Sequence, residues 1–150
     1  MAIEKRMYKI GDELAPLTKH MTQEAINHFE SSGGAKGPSQ FTDVETARST
    51  LGTKGTVASG RMSLTFTTEL LRRFFGAEIY NRGGTVDMRF LRPVRPGDSV
   101  TFSGKITGMS KEANGCRVTV EVTGTNQKGD TTAVGGGSCL VPSGYLPAEE

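Results

Sequence analysis

The stretch from residue 57 to residue 76, VASGRMSLTFTTELLRRFFG, limits the possible folds of this chain more than any other. Apolar residues recur in it every four positions, at Met62, Phe66, Leu70 and Phe74, and further apolar residues fill the neighbouring rows. This spacing predicts a helix that is apolar around most of its circumference. Such a helix has to be surrounded by other elements, so we expect it at the centre of the fold.

The start of this central helix is also a candidate binding position. Ser59 can cap its first amides and Gly76 can close it in the left-handed conformation, which predicts a helix of about 16 residues. At Ser59, Gly60 and Arg61, N–H groups without helical partners meet the positive end of the helix dipole. A polar oxygen of a ligand could therefore dock at this end.

The segment before the central helix predicts two shorter helices joined by a loop. Thr22 can cap a helix of two to three turns. The loop at 31–41, SSGGAKGPSQF, is rich in glycine, serine and proline, which is typical of a surface loop that can bend closely around a ligand. Thr42 and Glu45 then have the spacing of a capping box for a second short helix, which Gly52 ends.

From Ile79 onward the apolar period changes from 3.6 to 2. Apolar and polar residues alternate at 86–90, 100–103 and 118–122, which predicts three or four strands. Residues 126–130 have the composition of a hairpin turn before a last strand. Because each strand has one polar face, we expect an antiparallel sheet whose other face packs on the central helix.

Three features lie outside this pattern. Residues 7–21 indicate an edge strand or an extended arm. Three glycines at 135–137, within the last strand, indicate a close approach by a helix or another subunit, which we favour over a phosphate-binding loop because no helix follows. Cys116 and Cys139 lack C-x-x-C spacing and lie in strand-like settings, so we expect small buried thiols, neither metal ligands nor nucleophiles.

Composition excludes several classes of function. Hydrophobic residues make up 35% of the chain, and no apolar run approaches the roughly 18 residues that a membrane span needs. The formal net charge of +2 and the lack of a Lys/Arg run argue against nucleic-acid binding. The N-terminal sequence MAIEKRMYKI has no apolar leader segment, so we expect one cytoplasmic domain over residues 1–150.

Three ordered stretches carry a resemblance to a known family. They are FTDVETARSTLGTKGTVASGRMS at 41–63, FFGAEIYNRGGTVDMRFLRPVRPGDSVTFSGKIT at 74–107 and VTVEVTGTNQKGDTTAVGGGSCLVP at 118–142. From about residue 22 to residue 142 the chain resembles the MaoC-like dehydratases, the (R)-specific enoyl-CoA hydratase group. The resemblance implies an α+β hotdog fold, in which a long central helix is wrapped by a curved antiparallel β-sheet.

The same resemblance implies a reaction and its partners. Members of that group hydrate a trans-2-enoyl thioester or run the reverse dehydration. The implied small molecule is an acyl-CoA or a related acyl carrier thioester, and no separate cofactor or metal is implied. A homodimer or larger homo-oligomer with a pantetheine tunnel at the subunit interface is expected. A hetero-oligomer with another hotdog chain is the alternative assembly.

The catalytic pair of that group is replaced at the matching positions. In the group an aspartate and a histidine activate one water, while amides at the start of the central helix polarise the thioester carbonyl. Here Phe41 occupies the histidine position, and Lys36 lies near the aspartate position. A shift of one residue places Gln40 at the histidine and Ala35 or Lys36 at the aspartate.

Other residues are candidates for proton transfer. His28, on the helix before the loop, is the candidate base of the two histidines, although a lone histidine at a helix boundary, like His20 on the first extended segment, is more often exposed or structural. Asp43 remains from the family motif, and for it helix capping is favoured over an acid–base role. Gln40 is the third candidate. Glu30 could reach the cavity, but we expect an exposed charge at a helix end.

The thioester-binding half of the implied machinery is better matched. Ser59 and Gly60 stand where the family has His-Gly or Ser-Gly, so we expect these two residues and Arg61 to bind the thioester. One or more of the four clearest basic residues could meet CoA phosphates, and these are Arg61, Arg89, Arg92 and Arg95. Arg89 and Arg92 could equally pair with Asp87 and Asp98 across the sheet.

Three functions follow as hypotheses. The first is a hydratase or dehydratase with atypical catalytic residues. The second is a catalytically degenerate subunit that binds an acyl-thioester or completes the tunnel of an active partner chain. A thioesterase using Glu69 ranks last, because Glu69 lies more than two helical turns from Gly60.

Overall fold

The computed structural model describes residues 4–34 and 36–148 of the chain. In chain order its elements are β1 (Leu17–Met21), α1 (Gln23–Ser32), α2 (Val44–Leu51), α3 (Gly60–Phe75), α4 (Ala77–Gly83), β2 (Gly84–Phe90), β3 (Asp98–Glu112), β4 (Gly115–Thr125), β5 (Thr131–Pro142) and a 3-10 turn (Ser143–Tyr145). The strands form an antiparallel sheet in the order β1-β3-β4-β5-β2, so β1 and β2 lie at its edges.

The central helix is α3, and its 16 residues begin and end where the sequence predicts. It packs against β1, β2, β3 and β5. Leu71 from the helix and Val100, Phe102 and Ile106 from β3 are all 0% exposed. Burying side chains of this size contributes about 1.5–3 kcal/mol each, so this interface is a main source of stability. The α+β arrangement of a central helix wrapped by an antiparallel sheet is confirmed.

The glycines of β5 lie where α3 approaches the sheet. A Cβ atom added at Gly137 would lie 2.8 Å from Cδ1 of Leu71 and 2.1 Å from the carbonyl oxygen of Thr85 on β2. Any side chain there would displace the helix or the neighbouring strand. The predicted close approach of a helix is therefore confirmed for Gly137.

Residues 7–21 form the extended edge that the sequence indicates. β1 pairs antiparallel with the start of β3. Before it, the amide of Leu14 donates to the oxygen of Gly104 at 2.9 Å, and the amide of Gly11 donates to the oxygen of Ile106 at 2.8 Å. The arm therefore runs beside residues 98–106 of β3.

Helix α4 was not predicted, because the sequence indicates a change from the helical to the strand period at Ile79. It buries Tyr80, which is 6% exposed. The Tyr80 ring stacks on Phe75 with the centroids 6.3 Å apart, and its hydroxyl donates to the oxygen of Thr85 at 3.1 Å. A turn of helix places this aromatic side chain against the end of α3. The helix was not predicted because its seven residues are too few for a helical period to be recognised.

Helix α2 differs from the prediction in two details. Its N-cap is Asp43 and not Thr42. Apolar residues at i, i+3 and i+7 predict a buried face for this helix, but only Ala47 is buried, whereas Val44 and Leu51 are each 47% exposed. Two apolar side chains of α2 are thus exposed to solvent in the single chain.

The two cysteines are free and differ in burial. Cys139 is 0% exposed, and its Sγ lies 3.7 Å from the carbonyl oxygen of Ile79. Burial raises the pKa of the Cys139 thiol to about 11. Cys116 is only partly buried. The expectation of a small buried thiol is confirmed for Cys139, which is unsuited to act as a nucleophile.

Arg6 ties the N-terminal arm to the end of α3. Its Nη1 donates to the carbonyl oxygen of Phe74. Its guanidinium carbon lies 4.2 Å from the ring centroid of Phe74 and 4.9 Å from that of Tyr8. The last carbonyls of a helix lack helical partners and carry partial negative charge, so a cation at this position stabilises the helix end.

We predict that Arg6→Met lowers the stability of the protein by about 1 kcal/mol, because it removes a charged donor from the helix end and a cation from two rings. For a chain of this size the melting temperature should fall by about 3 °C, measured by circular dichroism. Lys128→Met, in the exposed turn before β5, is the control and should melt with the wild type. Equal melting of all three proteins would contradict the role given to Arg6.

We also predict that a thiol reagent modifies one cysteine of the folded chain at pH 8. A pKa of about 11 leaves about one Cys139 thiol in a thousand ionised at that pH, and the group is also shielded from reagents. Mass spectrometry after labelling with iodoacetamide should find the label on Cys116 until the protein is unfolded. Cys116→Ser should abolish native labelling and Cys139→Ser should preserve it. The reverse pattern would refute the burial of Cys139.

Candidate functional site

The N-terminus of α3 presents backbone donors without acceptors. Ser59 is extended, with φ −70° and ψ 151°, and Gly60 is the first helical residue. The first amide with an acceptor is that of Met62, which donates to the oxygen of Ser59 at 3.1 Å. Among the described residues none accepts from the amides of Gly60 and Arg61. Two adjacent donors and the positive end of the helix dipole are thus available to an oxygen atom.

Ser59 occupies the N-cap position but does not cap the helix. Its side chain makes no hydrogen bond to the first turn. The residue is 4% exposed, and no residue in the described part of the chain pairs with its buried Oγ. A buried hydroxyl without a partner costs about 1–3 kcal/mol, so this oxygen is a candidate ligand contact.

A cavity of about 290 Å³ lies at this end of α3. One wall comes from the first turn of the helix, and the other comes from the segment that follows β2. The lining residues are Ala58, Ser59, Gly60, Ser63, Phe90, Leu91, Arg92, Pro93, Val94 and Thr132. Arg92 is the one charged residue among them, and none of them has a carboxylate or an imidazole. The cavity therefore offers amide and hydroxyl donors but no acid–base pair.

Phe90 fits against Gly60 at the mouth of this cavity. A Cβ atom added at Gly60 would lie 2.6 Å from Cε2 of the Phe90 ring. The segment that follows β2 is held in place by Thr132, whose carbonyl oxygen accepts from the amides of Leu91 at 2.8 Å and Arg92 at 3.3 Å. Phe90 is 48% exposed and Leu91 is 51% exposed. The apolar surface beside the start of α3 is thus exposed to solvent in the single chain.

The residues expected at the catalytic pair do not line the cavity. Lys36 and His28 are exposed, and Gln40 and Phe41 are partly buried. Phe41, which the resemblance places at the histidine position, packs against the hydrophobic core. Ala35 lies outside the described residues. Catalytic roles for His28 and Gln40 stay predictions.

Asp43 is held as the N-cap of α2. Its Oδ2 accepts from the amide of Thr46 at 2.9 Å and from the Thr46 hydroxyl at 2.7 Å. These hydrogen bonds, the hydroxyl first, lower the pKa of Asp43 below its ordinary value. A carboxylate held in this way is a weaker base, so the geometry favours the capping role of Asp43. Its catalytic role stays a prediction.

Glu30 differs most from its expectation. It was expected as an exposed charge, but it is only 2% exposed. Its Oε2 accepts from Nη2 of Arg61 at 2.9 Å, while its buried Oε1 has no partner in the described part of the chain. The sequence carried a signal for this burial, because Glu30 follows Ile26 by one helical turn and shares its inward face.

The other carboxylate and histidine candidates are engaged elsewhere. His20 Nδ1 lies 2.7 Å from Oγ of Ser99, at the edge formed by β1 and β3. Glu69 lies 3.1 Å from Lys19 and 3.1 Å from Arg73. The thioesterase hypothesis for Glu69 therefore gains no support.

In the described part of the chain, Arg89 and Arg92 form no ion pair with either of the aspartates expected as alternative partners, Asp87 and Asp98. Asp98 instead accepts from the amide of Arg95 and from Nε2 of Gln127, both at 2.9 Å. Among the described residues no ion pair joins Asp98 to Arg92 or Arg89. Arg92 thus lines the cavity with its charge available to an anion.

Within residues 4–34 and 36–148, no group of three or more His, Cys, Asp or Glu side chains is placed to hold a metal ion. In the same part of the chain, no helix combines the length and the apolar character that crossing a membrane requires.

Several solved structures share this fold. The monoamine oxidase regulatory protein from Archaeoglobus fulgidus matches with a TM-score of 0.77 and 22% identity, covering 95% of this chain and 98% of that one. The (R)-hydratase from A. caviae involved in PHA biosynthesis matches with a TM-score of 0.70 and 20% identity, covering 90% and 98%. The ChsH1-ChsH2 complex from Mycobacterium tuberculosis matches with a TM-score of 0.72 and 18% identity, covering 90% of this chain and 100% of the matched chain.

At these identities the structural matches show the fold, which is the hotdog fold. No curated protein matches the chain in sequence. A family model described as the MaoC like domain matches residues 9–128, a range that runs from the N-terminal arm through β4 and includes the cavity at Gly60. Because this match covers most of the chain and the fold agrees with it, the chain belongs to the MaoC-like domain family.

Proposed function

We propose that the chain is a hydratase or dehydratase that acts on an enoyl or 3-hydroxyacyl thioester at the N-terminus of α3. The observation that carries this proposal is the Gly60 amide, which borders the cavity and has no acceptor among the described residues. Membership of the MaoC-like family and the likeness to an (R)-hydratase support the reaction class.

The chemistry needs a donor at this position. When water adds to C3 of an enoyl thioester, the electrons of the double bond move toward the carbonyl oxygen and an enolate forms. The Gly60 N–H and the helix dipole stabilise the charge on that oxygen, and the Ser59 hydroxyl supplies a second donor. One donor of this kind typically contributes about 10²- to 10³-fold in rate.

The walls of the cavity fit the two ends of such a substrate. Phe90 and Leu91 provide apolar surface for an acyl chain. Arg92 provides a positive charge for a phosphate of CoA or of an acyl carrier. A thioester with an anionic carrier is therefore the substrate class we propose.

A second subunit would complete this site. β2 is a sheet edge, and its outer side pairs with no described strand. Exposed apolar side chains lie at its end, at Phe90 and Leu91. An unpaired edge next to exposed apolar residues favours a partner chain, so we propose a homodimer or larger assembly that closes the cavity into a tunnel.

The second candidate is a subunit that binds an acyl-thioester without turning it over. The cavity lining favours it in one respect, because none of these residues has a carboxylate or an imidazole. The chain would then complete the tunnel of an active partner, as a hetero-oligomer. Binding of butyryl-CoA by the purified chain, without turnover of any enoyl-CoA until a partner chain is added, would identify this function.

The proposed enzyme makes a prediction for Gly60. Gly60→Pro removes the amide hydrogen but keeps the helix, because proline is tolerated at the first helical position and Ser59 is already extended. Gly60→Ala is the matched control, since it has the same Cβ contact with Phe90 but retains the N–H. With crotonyl-CoA and longer enoyl-CoAs, we expect kcat/KM of the proline variant to fall about 10²- to 10³-fold below that of the alanine variant.

The loss of enoyl absorbance measures this reaction. Equal rates for the proline and alanine variants would remove the Gly60 amide from the mechanism. No turnover by the wild type, for any chain length, would contradict the enzyme and leave the binding subunit.

The proposed assembly predicts that Leu91→Arg weakens self-association, because it places a charge in the apolar surface at the end of β2. Light scattering coupled to size exclusion should find a dimer or larger species for the wild type and a smaller species for the variant. Ile10→Arg is the control, since Ile10 is 66% exposed and lies on the N-terminal arm, which runs beside the opposite sheet edge. A monomeric wild type, or a larger effect of Ile10→Arg, would contradict this interface.

A further inference from the structure

Ser63 differs from the three threonines of α3 in the use of its hydroxyl. Serine and threonine side chains inside a helix commonly donate to the carbonyl oxygen four residues earlier. Thr65, Thr67 and Thr68 all do so, at 2.8, 2.9 and 3.0 Å. The hydroxyl of Ser63 forms no hydrogen bond with any residue in the described part of the chain. It is therefore available to a ligand.

This hydroxyl opens into the cavity at the start of α3. Ser63 is only 4% exposed, and it lines the cavity together with Gly60. Oγ of Ser59 is fully buried and has no partner among the described residues, whereas Oγ of Ser63 has no such partner but is not fully buried. Its accessible surface therefore faces the cavity that the residue lines.

Helix geometry places the Ser63 hydroxyl beside the Gly60 amide. Residues three apart lie on the same side of a helix, separated by a rise of about 4.5 Å, and side chains point back toward the N-terminus of their helix. The side chain of Ser63 therefore extends toward Gly60, which has no side chain of its own. An amide donor and a hydroxyl thus face one cavity from neighbouring positions.

Two other polar side chains of the cavity are less suited to hold a neutral oxygen. Thr132 uses its hydroxyl to donate to the carbonyl oxygen of Gly124 at 3.2 Å. Arg92 carries a charge that suits a phosphate. An amide and a guanidinium only donate, whereas a serine hydroxyl both donates and accepts. Ser63 can therefore bind an alcohol or a water molecule in either role.

The burial of Ser63 has no explanation in the fold itself. Serine is a weaker helix former than alanine, and a hydroxyl taken out of bulk water loses hydrogen bonds. At this position no hydrogen bond to a described residue offsets either loss. Alanine would therefore suit the helix at least as well, and a ligand accounts for the hydroxyl.

We propose that Ser63 binds the hydroxyl group at C3 of a 3-hydroxyacyl thioester whose carbonyl oxygen lies at the Gly60 amide. This inference rests on the proposed function and names the part of the substrate that Ser63 recognises. C3 lies two carbon–carbon bonds of about 1.5 Å each from the carbonyl carbon, which is within the span from residue 60 to residue 63. In the hydration direction, Ser63 holds the water that adds to C3. Ser63 transfers no proton in this role.

The test compares Ser63→Ala with Thr65→Ala. Thr65 is exposed on the same helix and does not line the cavity. Ser63→Ala removes one oxygen from the cavity and breaks no hydrogen bond of the described chain, so its melting temperature should equal or exceed that of the wild type. Its kcat/KM for hydration of crotonyl-CoA and for dehydration of 3-hydroxybutyryl-CoA should fall about 3- to 10-fold. Thr65→Ala should keep the wild-type rates.

Butyryl-CoA gives a readout that a purely structural role would move. It has no oxygen at C3, so its inhibition constant against crotonyl-CoA should be the same for the wild type and for Ser63→Ala. If Ser63→Ala weakens butyryl-CoA as much as it lowers kcat/KM, the serine only shapes the cavity and the proposal is overturned.

The outcomes separate this inference from the function on which it rests. An active wild type with an equally active Ser63→Ala variant overturns the role of Ser63 and leaves the hydratase standing. A wild type without turnover overturns the proposed reaction, and 3-hydroxybutyryl-CoA is then a stable ligand for calorimetry. In that case Ser63→Ala should bind 3-hydroxybutyryl-CoA about 3- to 10-fold more weakly than the wild type and butyryl-CoA equally well. Equal binding of 3-hydroxybutyryl-CoA by both proteins would overturn the role of Ser63 as well.

Discussion

The burial of α3 within the antiparallel sheet is the interaction on which the rest of the structure depends. A helix with apolar residues around most of its surface is stable only if strands cover several sides of it, and here β1, β2, β3 and β5 do so. Gly137 allows the sheet to come close enough to touch Leu71. Arg6 holds the opposite end of the same helix. With its body fixed in this way, the helix presents its first turn at a defined place.

The two halves of the proposed site differ in how they are built. The donor half is the backbone amide of Gly60. The direction of this N–H is set by the start of the helix and does not depend on the neighbouring side chains. The candidates for proton transfer are side chains on α1 and in the loop that follows it, and side chains there can be exchanged without changing the fold. This difference would allow the helix start to be kept while Phe41, which the resemblance places at a histidine position, packs on the core.

Periodicity predicted the elements that are stabilised by their own pattern. The bounds of α3, the extended arm, the alternating strands and the turn before β5 agree with the structure, because each is set by which side chains face the core. Helix α4 was missed, since it exists to pack Tyr80 against the end of α3 and has too few residues to show a period. For the candidate site, the sequence predicted Ser59 and Gly60, which line the cavity, but neither Phe90 nor the burial of Glu30. Those depend on contacts between distant segments, such as the ion pair of Glu30 with Arg61, which local pattern does not record.

The contact between Phe90 and Gly60 has a consequence for the range of substrates. The ring rests against the Cα of the residue whose amide is the proposed carbonyl donor, so the side chain at position 90 sets how much room remains beside the reacting carbons. Because the amides of Leu91 and Arg92 are bonded to Thr132, the main chain of this segment holds its distance from the helix while the side chain can vary. If an acyl-thioester binds as proposed, the size of the side chain at position 90 would therefore limit the length and branching of the acyl group, and a substitution at this one position would change that limit.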